Sequence, residues 1–254
     1  MSDSDRVVFW DFDGTLARRQ DLWAGALADA WKRMPASPAI SSESLRPYLG
    51  SGFPWHDPTV VSPPLSPEKW WAALRPVFVA AYARAGLDPG IGEEAAALVA
   101  IEYYRPDAWT LIDGAVEALR ITATAGYRNV ILSNHAPELP SLVEALALGP
   151  LVEDTITSAS VGAEKPNRLI FTHAIERAGI SSVENVWMVG DNPTADIAGA
   201  AGVGIRGILA DGDYPDSVGV TVLEAAELLS GHRAGAGPSP ADIRTLDEPL
   251  KARR

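Results

Sequence analysis

The sequence predicts an α/β fold in which a doubly wound parallel sheet carries an inserted helical domain. Short apolar segments such as Val7–Trp10 end abruptly in polar residues, as strands do when both faces of a parallel sheet are covered. From residue 109 to about residue 230, helix-like and strand-like segments alternate, which is typical of βα units. Between residues 17 and 106 the pattern is helical and rich in proline, so this stretch interrupts the alternation.

These shifts in pattern set the predicted domain boundaries. We assign residues 1–16 and 107–230 to a discontinuous α/β core, and residues 17–106 to a helical insertion. The tail 231–254 contains a Gly-Ala-Gly-Pro-Ser-Pro run and a charged end, and we expect it to be flexible.

Two aspartates follow the first apolar segment directly. Asp11 and Asp13 are two positions apart, so in an extended chain their side chains point the same way. Open α/β sheets bind ligands outside the carboxyl ends of their strands. Two carboxylates held together there are unfavourable unless a cation or a shared proton intervenes. The pair therefore predicts a metal site or an acid/base pair.

Three later segments carry polar residues in a similar setting. A second apolar strand ends in a hydroxyl and an amide, a Lys-Pro pair precedes an amphipathic helix, and a third apolar strand runs into Gly-Asp with another Asp five positions on. Their polar residues are Ser133 and Asn134, then Lys165, then Asp191 and Asp196. Taken singly, these segments fit an ordinary turn, a solvated loop and an exposed helix residue, so their order along the chain is the informative feature.

In that order the DxDGT, SN, KP and GDxxxxD segments resemble the motifs of the haloacid dehalogenase superfamily, within its phosphatase-like branch. The resemblance covers residues 6 to about 210. It implies a Rossmann-like core, with the insertion forming a helical cap over the catalytic edge of the sheet. A cap is also expected on physical grounds, because phosphoryl transfer needs water excluded and the core loops are short.

The resemblance implies a role for each acidic residue of the core. Asp11 would be the nucleophile that forms an aspartyl-phosphate, and Asp13 the general acid and then the general base. Mg²⁺ would be bound by the Asp11 carboxylate, the Asp13 backbone carbonyl and the Asp191 carboxylate. Asp196 would orient Lys165 or a metal-bound water.

The same resemblance implies how the phosphate is held. Ser133 and Asn134 would donate hydrogen bonds to phosphoryl oxygens. Lys165 would neutralise the phosphate and compensate the nearby acids. The predicted activity is Mg²⁺-dependent hydrolysis of a small phosphomonoester.

Other functions are compatible with parts of the pattern. A phosphomutase carries the same four motifs and differs in keeping its phosphoenzyme from water. A haloacid hydrolase would lack the second acid, which is present here as Asp13. A phosphonate hydrolase needs a cap lysine, and only Lys32 and Lys69 are available, neither in a convincing motif. A regulatory protein without activity would be expected to have lost a motif acid, and none is missing.

Several residues outside the motifs have a structural and a functional interpretation. We interpret His135 as a packing or capping residue, and Trp23, Trp31, Trp70 and Trp71 as the core of the helical insertion. Whether Trp55 and His56 contact substrate is left open.

Composition and charge limit the possible partners, kinds of site and location of the protein. The net charge of −12 argues against binding nucleic acid or an anionic membrane through general electrostatics. The absence of cysteine excludes disulfides, thiolate zinc sites and cysteine nucleophiles. No apolar run reaches transmembrane length, and the polar start lacks a signal-peptide core. We therefore expect a cytoplasmic monomer or homodimer acting on a small phosphorylated molecule.

Overall fold

A parallel sheet of five strands forms the centre of the molecule. The computed structural model describes residues 5–35, 38–212 and 218–231. Its strands are β1 (Val7–Trp10), β4 (Arg128–Ser133), β5 (Asp154–Thr157), β6 (Val186–Gly190) and β7 (Arg206–Leu209). They lie in the order β5-β4-β1-β6-β7 across the sheet. The predicted parallel sheet is confirmed.

Alternate residues of the central strands pack on opposite faces of this sheet. Val8 and Trp10 of β1 belong to one buried cluster, whereas Val7 and Phe9 belong to another. The helices of the core supply both covering layers, which explains why the strands read as continuous apolar runs. These helices are α5 (Ala115–Thr124), α6 (Leu139–Ala145), α7 (Ser158–Val161), α8 (Arg168–Arg177), α9 (Gly199–Ala201) and α10 (Val222–Gly231).

The order of the strands gathers the polar motifs at one edge. β1 lies between β4 and β6, and both neighbours run parallel to it. Trp10 pairs with Ile131 on one side and with Val189 on the other. The residues that follow these three strands therefore leave the sheet side by side.

The inserted segment leaves and rejoins the core through a two-stranded antiparallel ribbon. Its strands are β2 (Ala17–Arg19) and β3 (Trp109–Leu111), with Ala17 paired to Leu111. Between them lie α1 (Leu22–Lys32), α2 (Ser42–Leu45), α3 (Pro67–Arg84) and α4 (Pro89–Tyr103). Helix α4 packs against both α1 and α3, and aromatic side chains fill much of the space between them.

Neighbouring residues set the limits of individual elements. Helix α4 begins at Pro89, because Pro89 occupies the first turn and Asp88 caps it by accepting from the Ile91 N–H at 3.0 Å. After β7, Val220 forms an isolated bridge with Ala210, and α10 begins at Val222. The predicted flexible tail lies, beyond Gly231, outside the described residues. Among the helices of the described residues, none has the length and apolarity needed to cross a membrane.

Candidate active site

The seven residues predicted to form the site line one cleft at the carboxyl edge of the sheet. Its volume is about 360 Å³, within the range of small-molecule sites. The seven are Asp11, Asp13, Ser133, Asn134, Lys165, Asp191 and Asp196. The structure thus brings all of them together, whereas their individual roles remain predictions.

The loop after β1 presents the two aspartates. The Asp11 N–H donates to the Val189 carbonyl at 2.8 Å, which fixes Asp11 just beyond the sheet. Asp11 is buried, and the Asp13 side chain is one quarter exposed. The chain turns at Gly14 with φ +83°, where a Cβ would lie 2.4 Å from Oδ2 of Asp191. Gly14 is required here both for its backbone conformation and for the close approach of Asp191.

Lys165 is the buried cation of the cleft. Its Nζ lies 2.7 Å from Asp11 Oδ1 and 2.6 Å from Asp196 Oδ1, and it also donates to the Leu132 carbonyl at 2.8 Å. Burial alone would lower the pKa of Lys165, but the Asp11 and Asp196 carboxylates outweigh burial and raise it. Lys165 therefore stays charged at neutral pH.

Three carboxylates form a cluster that one lysine does not neutralise. Asp11, Asp191 and Asp196 each offer an oxygen, and these oxygens lie within 4.8 Å of one another. Burial, followed by repulsion from Asp11 and Asp196, raises the pKa of Asp191. An excess of buried negative charge with hard oxygen donors fits a divalent cation such as Mg²⁺.

Asp196 is already engaged by protein groups. Besides its ion pair with Lys165, its Oδ2 accepts from the Asn192 N–H at 3.0 Å. It lies in a π-helical turn, Pro193–Ala198, directly after β6. Of the two roles predicted for Asp196, this geometry favours orienting Lys165.

Asn134 holds the lysine loop in place. Its Nδ2 donates to the Lys165 carbonyl at 3.0 Å, and its Oδ1 accepts from the Lys165 N–H at 2.6 Å. The paired bonds fasten β4 to the loop that carries Lys165. Ser133, at the end of β4, is buried and lines the cleft beside it. A contact of either side chain with phosphate remains a prediction.

The inserted helices supply the opposite wall of the cleft. Leu22, Trp23, Trp55 and Pro58 line this side. The interpretation of Trp23 as packing alone was therefore incomplete, because its ring stacks on Tyr103 at 4.2 Å and also borders the cleft. Trp55 borders the cleft as well. His56 is not among the residues that line it, and its Nδ1 accepts from the Phe53 N–H.

Hydrogen bonds hold this wall against the core. Ser62 N–H donates to the Gly162 carbonyl at 2.8 Å, and Asn167 Nδ2 donates to the Pro58 carbonyl at 2.9 Å. Trp71 Nε1 donates to Glu138 Oε1 at 2.8 Å. The insertion is thus docked over the carboxyl edge of the sheet.

His135 is a residue of the site whose position the sequence did not reveal. It is almost fully buried, and its Nδ1 lies 2.7 Å from the Tyr104 hydroxyl, while its Nε2 faces Asp13. Burial, with the nearby Asp13 charge adding to it, raises the pKa of both Tyr103 and Tyr104. These phenols stay protonated and act as hydrogen-bond donors behind Asp13.

A comparison with protein families decides the family. The model of haloacid dehalogenase-like hydrolases matches residues 6–204, which include every motif of the cleft. This chain belongs to the haloacid dehalogenase-like hydrolase family. The predicted resemblance is confirmed, and the chain is a member of a family of hydrolases.

Individual relatives of this hydrolase agree with that placement. Human haloacid dehalogenase-like hydrolase domain-containing protein 3 is 27% identical over 216 residues, covering 82% of each chain. A ribulose-1,5-bisphosphate 5-phosphatase of Halopiger xanaduensis is 35% identical over 103 residues, covering 40% of this chain and 43% of the relative. The crystal structure of a phosphatase of the family from Thermococcus onnurineus shares the fold, with a TM-score of 0.58 and 20% identity, over 90% of this chain and 99% of the other.

Proposed function

We propose that this hydrolase is a Mg²⁺-dependent phosphatase that hydrolyses a small phosphomonoester through an aspartyl-phosphate. The observation that carries the proposal is the pairing of Asp11 with Lys165 in a cleft that also contains Asp13. A nucleophilic carboxylate, a fixed cation and a second acid are the groups that phosphoryl transfer requires. The relative from Halopiger, by its name, also acts on a phosphate ester.

In the first step, an Asp11 carboxylate oxygen attacks phosphorus, and the bond from phosphorus to the ester oxygen breaks. The electron pair of that bond goes to the leaving oxygen, which takes a proton from Asp13. Lys165, held by Asp11 and Asp196, neutralises the phosphoryl oxygens, since it stays charged. Ser133 and Asn134 would donate hydrogen bonds to those oxygens.

In the second step, water attacks the phosphorus of the aspartyl-phosphate while the Asp13 carboxylate accepts its proton. The bond between phosphorus and the Asp11 oxygen breaks, releasing inorganic phosphate and leaving Asp11 as a carboxylate and Asp13 as the protonated acid with which the cycle began. Asp13 suits both steps because it lies in the cleft yet remains partly exposed.

A divalent ion would be held by Asp11 and Asp191, with the Asp13 backbone carbonyl as the third predicted protein ligand. When bound, Mg²⁺ supplies positive charge against the substrate phosphate and lowers the repulsion within the acidic cluster.

The decisive experiment compares Asp11→Asn with the parent protein. Inorganic phosphate release is measured on p-nitrophenyl phosphate and on a panel of natural phosphates, after chelation and after Mg²⁺ is restored. We expect release by the parent only with Mg²⁺, and a fall of at least about 1,000-fold for Asp11→Asn at unchanged far-ultraviolet circular dichroism. Activity of Asp11→Asn within about tenfold of the parent would contradict the mechanism. Phosphate transfer to a second sugar hydroxyl without release of inorganic phosphate would indicate a mutase instead.

A further inference from the structure

The cleft has two chemically different walls. The core wall carries the acids, Ser133, Asn134 and Lys165, all of which the phosphoryl chemistry uses. The opposite wall, formed by Leu22, Trp23, Trp55 and Pro58, contains no charged side chain. Since the phosphate must face Asp11, the alcohol part of the ester must lie against this second wall.

The two tryptophans of the second wall are packed among other aromatic rings. Trp55 stacks on Phe53 with ring centroids 4.5 Å apart and an angle of 18° between the rings. Trp23 stacks on Trp55 at 5.6 Å and on Tyr103 at 4.2 Å. Rings held by several neighbours lose little entropy when a ligand stacks on them. The wall is therefore preorganised for a flat apolar group.

Among the described residues, none but Lys165 could offer the cleft's ligand a lysine or arginine cation, and a second anionic group would find no other. Of the described residues that line it, Lys165 alone is a lysine or arginine. The Lys165 ammonium is already shared by Asp11, Asp196 and the Leu132 carbonyl. A carboxylate or a second phosphate on the alcohol part would face apolar rings on one side and aspartates on the other. Burying such a charge without a partner is strongly unfavourable.

We propose that this hydrolase selects phosphomonoesters whose alcohol part is an uncharged group with a flat apolar face, which stacks on Trp55. Esters whose alcohol part carries a carboxylate or another phosphate are rejected. This inference rests on the proposed phosphatase function and narrows its substrate class.

A matched pair of substrates tests the selection. Benzyl phosphate and phosphoglycolate are both esters of primary alcohols, and they differ in carrying an uncharged ring or a carboxylate. We expect kcat/KM for benzyl phosphate to exceed that for phosphoglycolate by at least about tenfold, and fructose 1,6-bisphosphate to be as poor as phosphoglycolate. Equal or reversed preference in an active enzyme would overturn the inference while leaving the phosphatase function intact.

Variants at Trp55 and Leu22 test whether the second wall is responsible for the substrate selection. Trp55→Ala should lower kcat/KM roughly five- to tenfold on benzyl phosphate and change it little on phosphoglycolate. Trp55→Phe should retain most of the preference for benzyl phosphate, because it keeps an aromatic ring. The control is Val61→Ala, because Val61 lies on the same loop but is exposed and does not line the cleft. It should leave kcat/KM unchanged for both substrates. Leu22→Lys should improve phosphoglycolate relative to benzyl phosphate, whereas the uncharged Leu22→Met should not. An unchanged ratio in both Trp55→Ala and Leu22→Lys would overturn the inference.

The affinities of ligands that cannot be hydrolysed test the substrate selection independently of the proposed phosphatase activity. Benzylphosphonate and phosphonoacetate cannot be hydrolysed as esters, so their affinities are measured by calorimetry on the intact protein with Mg²⁺. Tighter binding of benzylphosphonate supports the selection even if no ester is turned over, in which case only the proposed function fails. Equal affinity, or tighter binding of phosphonoacetate, overturns the selection.

Discussion

The imidazole Nε2 of His135 lies 3.6 Å from Oδ1 of Asp13, and neither atom has a hydrogen-bond partner among the described residues. The distance is slightly too long for a hydrogen bond. The other side of the ring is held because the Tyr104 hydroxyl bonds to Nδ1, and the backbone N–H of His135 donates to Ser158 Oγ at 3.1 Å. A small rotation of Asp13 would therefore complete a Tyr104–His135–Asp13 chain, which would position Asp13 for its proposed acid/base role.

The first prediction concerns this chain of contacts. We expect His135→Ala to lower kcat about tenfold on alkyl phosphates and much less on p-nitrophenyl phosphate, because only a poor leaving group needs a well-placed acid. His135→Gln keeps a donor near Asp13 and should recover much of the loss, and Tyr104→Phe should give a smaller loss in the same direction. The measurement is kcat and KM on both substrate types, with the melting temperature as a control. An equal loss on both types would show that His135 contributes only to packing.

The second prediction distinguishes the role proposed for Asp13 from that proposed for Asp11. Asp13→Asn preserves the backbone carbonyl but removes the transferable proton, so it should impair alkyl phosphates by about 100-fold or more. Formation of the phosphoenzyme from p-nitrophenyl phosphate should be affected far less, since its leaving oxygen barely needs protonation. A rapid-mixing burst of p-nitrophenol measures this step, and breakdown of the intermediate should be slow because the water has lost its base. Absence of the burst together with loss of all turnover would contradict the assignment.

The features that sequence could predict are those encoded by short-range pattern. Apolar runs such as Val7–Trp10 and Val186–Val189 identify buried strands, and the carboxyl ends of parallel strands must meet at one edge. Asp11 and Asp191 are therefore brought together by topology alone.

Contacts between residues that lie far apart in the sequence were not predictable from local patterns. Tyr104 meets His135 only because α4 is docked above the end of β4, and no local pattern encodes that approach. Trp23 has the periodicity of a core residue and packs against the core, although it is only partly buried. The sequence does not show that part of its ring borders the cleft. The bonds between Asn134 and Lys165 likewise depend on a loop that begins well beyond β4.

The third prediction concerns the buried ion pairs of Lys165. Its side chain and that of Asp196 are each almost fully buried, at 2% and 1% exposure. Lys165→Met leaves the Asp11 and Asp196 carboxylates without their cation, so the free energy of unfolding without metal should fall by about 3–5 kcal/mol. Lys165→Met with Asp196→Asn should recover part of that stability, because one buried charge is removed together with its partner.

Urea unfolding of the four proteins, the parent, the two single variants and the double variant, measures this coupling. Both proteins that lack Lys165 should remain inactive, which separates the catalytic loss from the loss of stability. Strictly additive effects of the two substitutions would contradict an energetic pair.

The fourth prediction links the acidic cluster to pH. Burial and the neighbouring carboxylates raise the pKa of Asp191 and Asp196 above the ordinary value of 3.8. The folded protein therefore holds these protons more tightly than the unfolded chain does. Without metal, the free energy of unfolding should fall as pH rises from about 4 toward the raised values. Metal ligation needs the ionised carboxylates, so binding of Mg²⁺ should strengthen over the same range.

The measurement is the rise in melting temperature that saturating Mg²⁺ produces, compared at about pH 5.5 and about pH 8. We expect the rise to be larger at the higher pH by ~5 °C, and to be absent in Asp191→Asn. Glu164 provides the control, because burial raises its pKa to about 7 although it is not one of the three clustered acids. Glu164→Gln should flatten part of the metal-free pH dependence and leave the effect of Mg²⁺ unchanged. A rise that is equal at both pH values, or one that persists in Asp191→Asn, would show that the stabilising ion binds elsewhere, because Asp191 and Asp196 combine raised pKa values with a place at the carboxyl edge of the sheet.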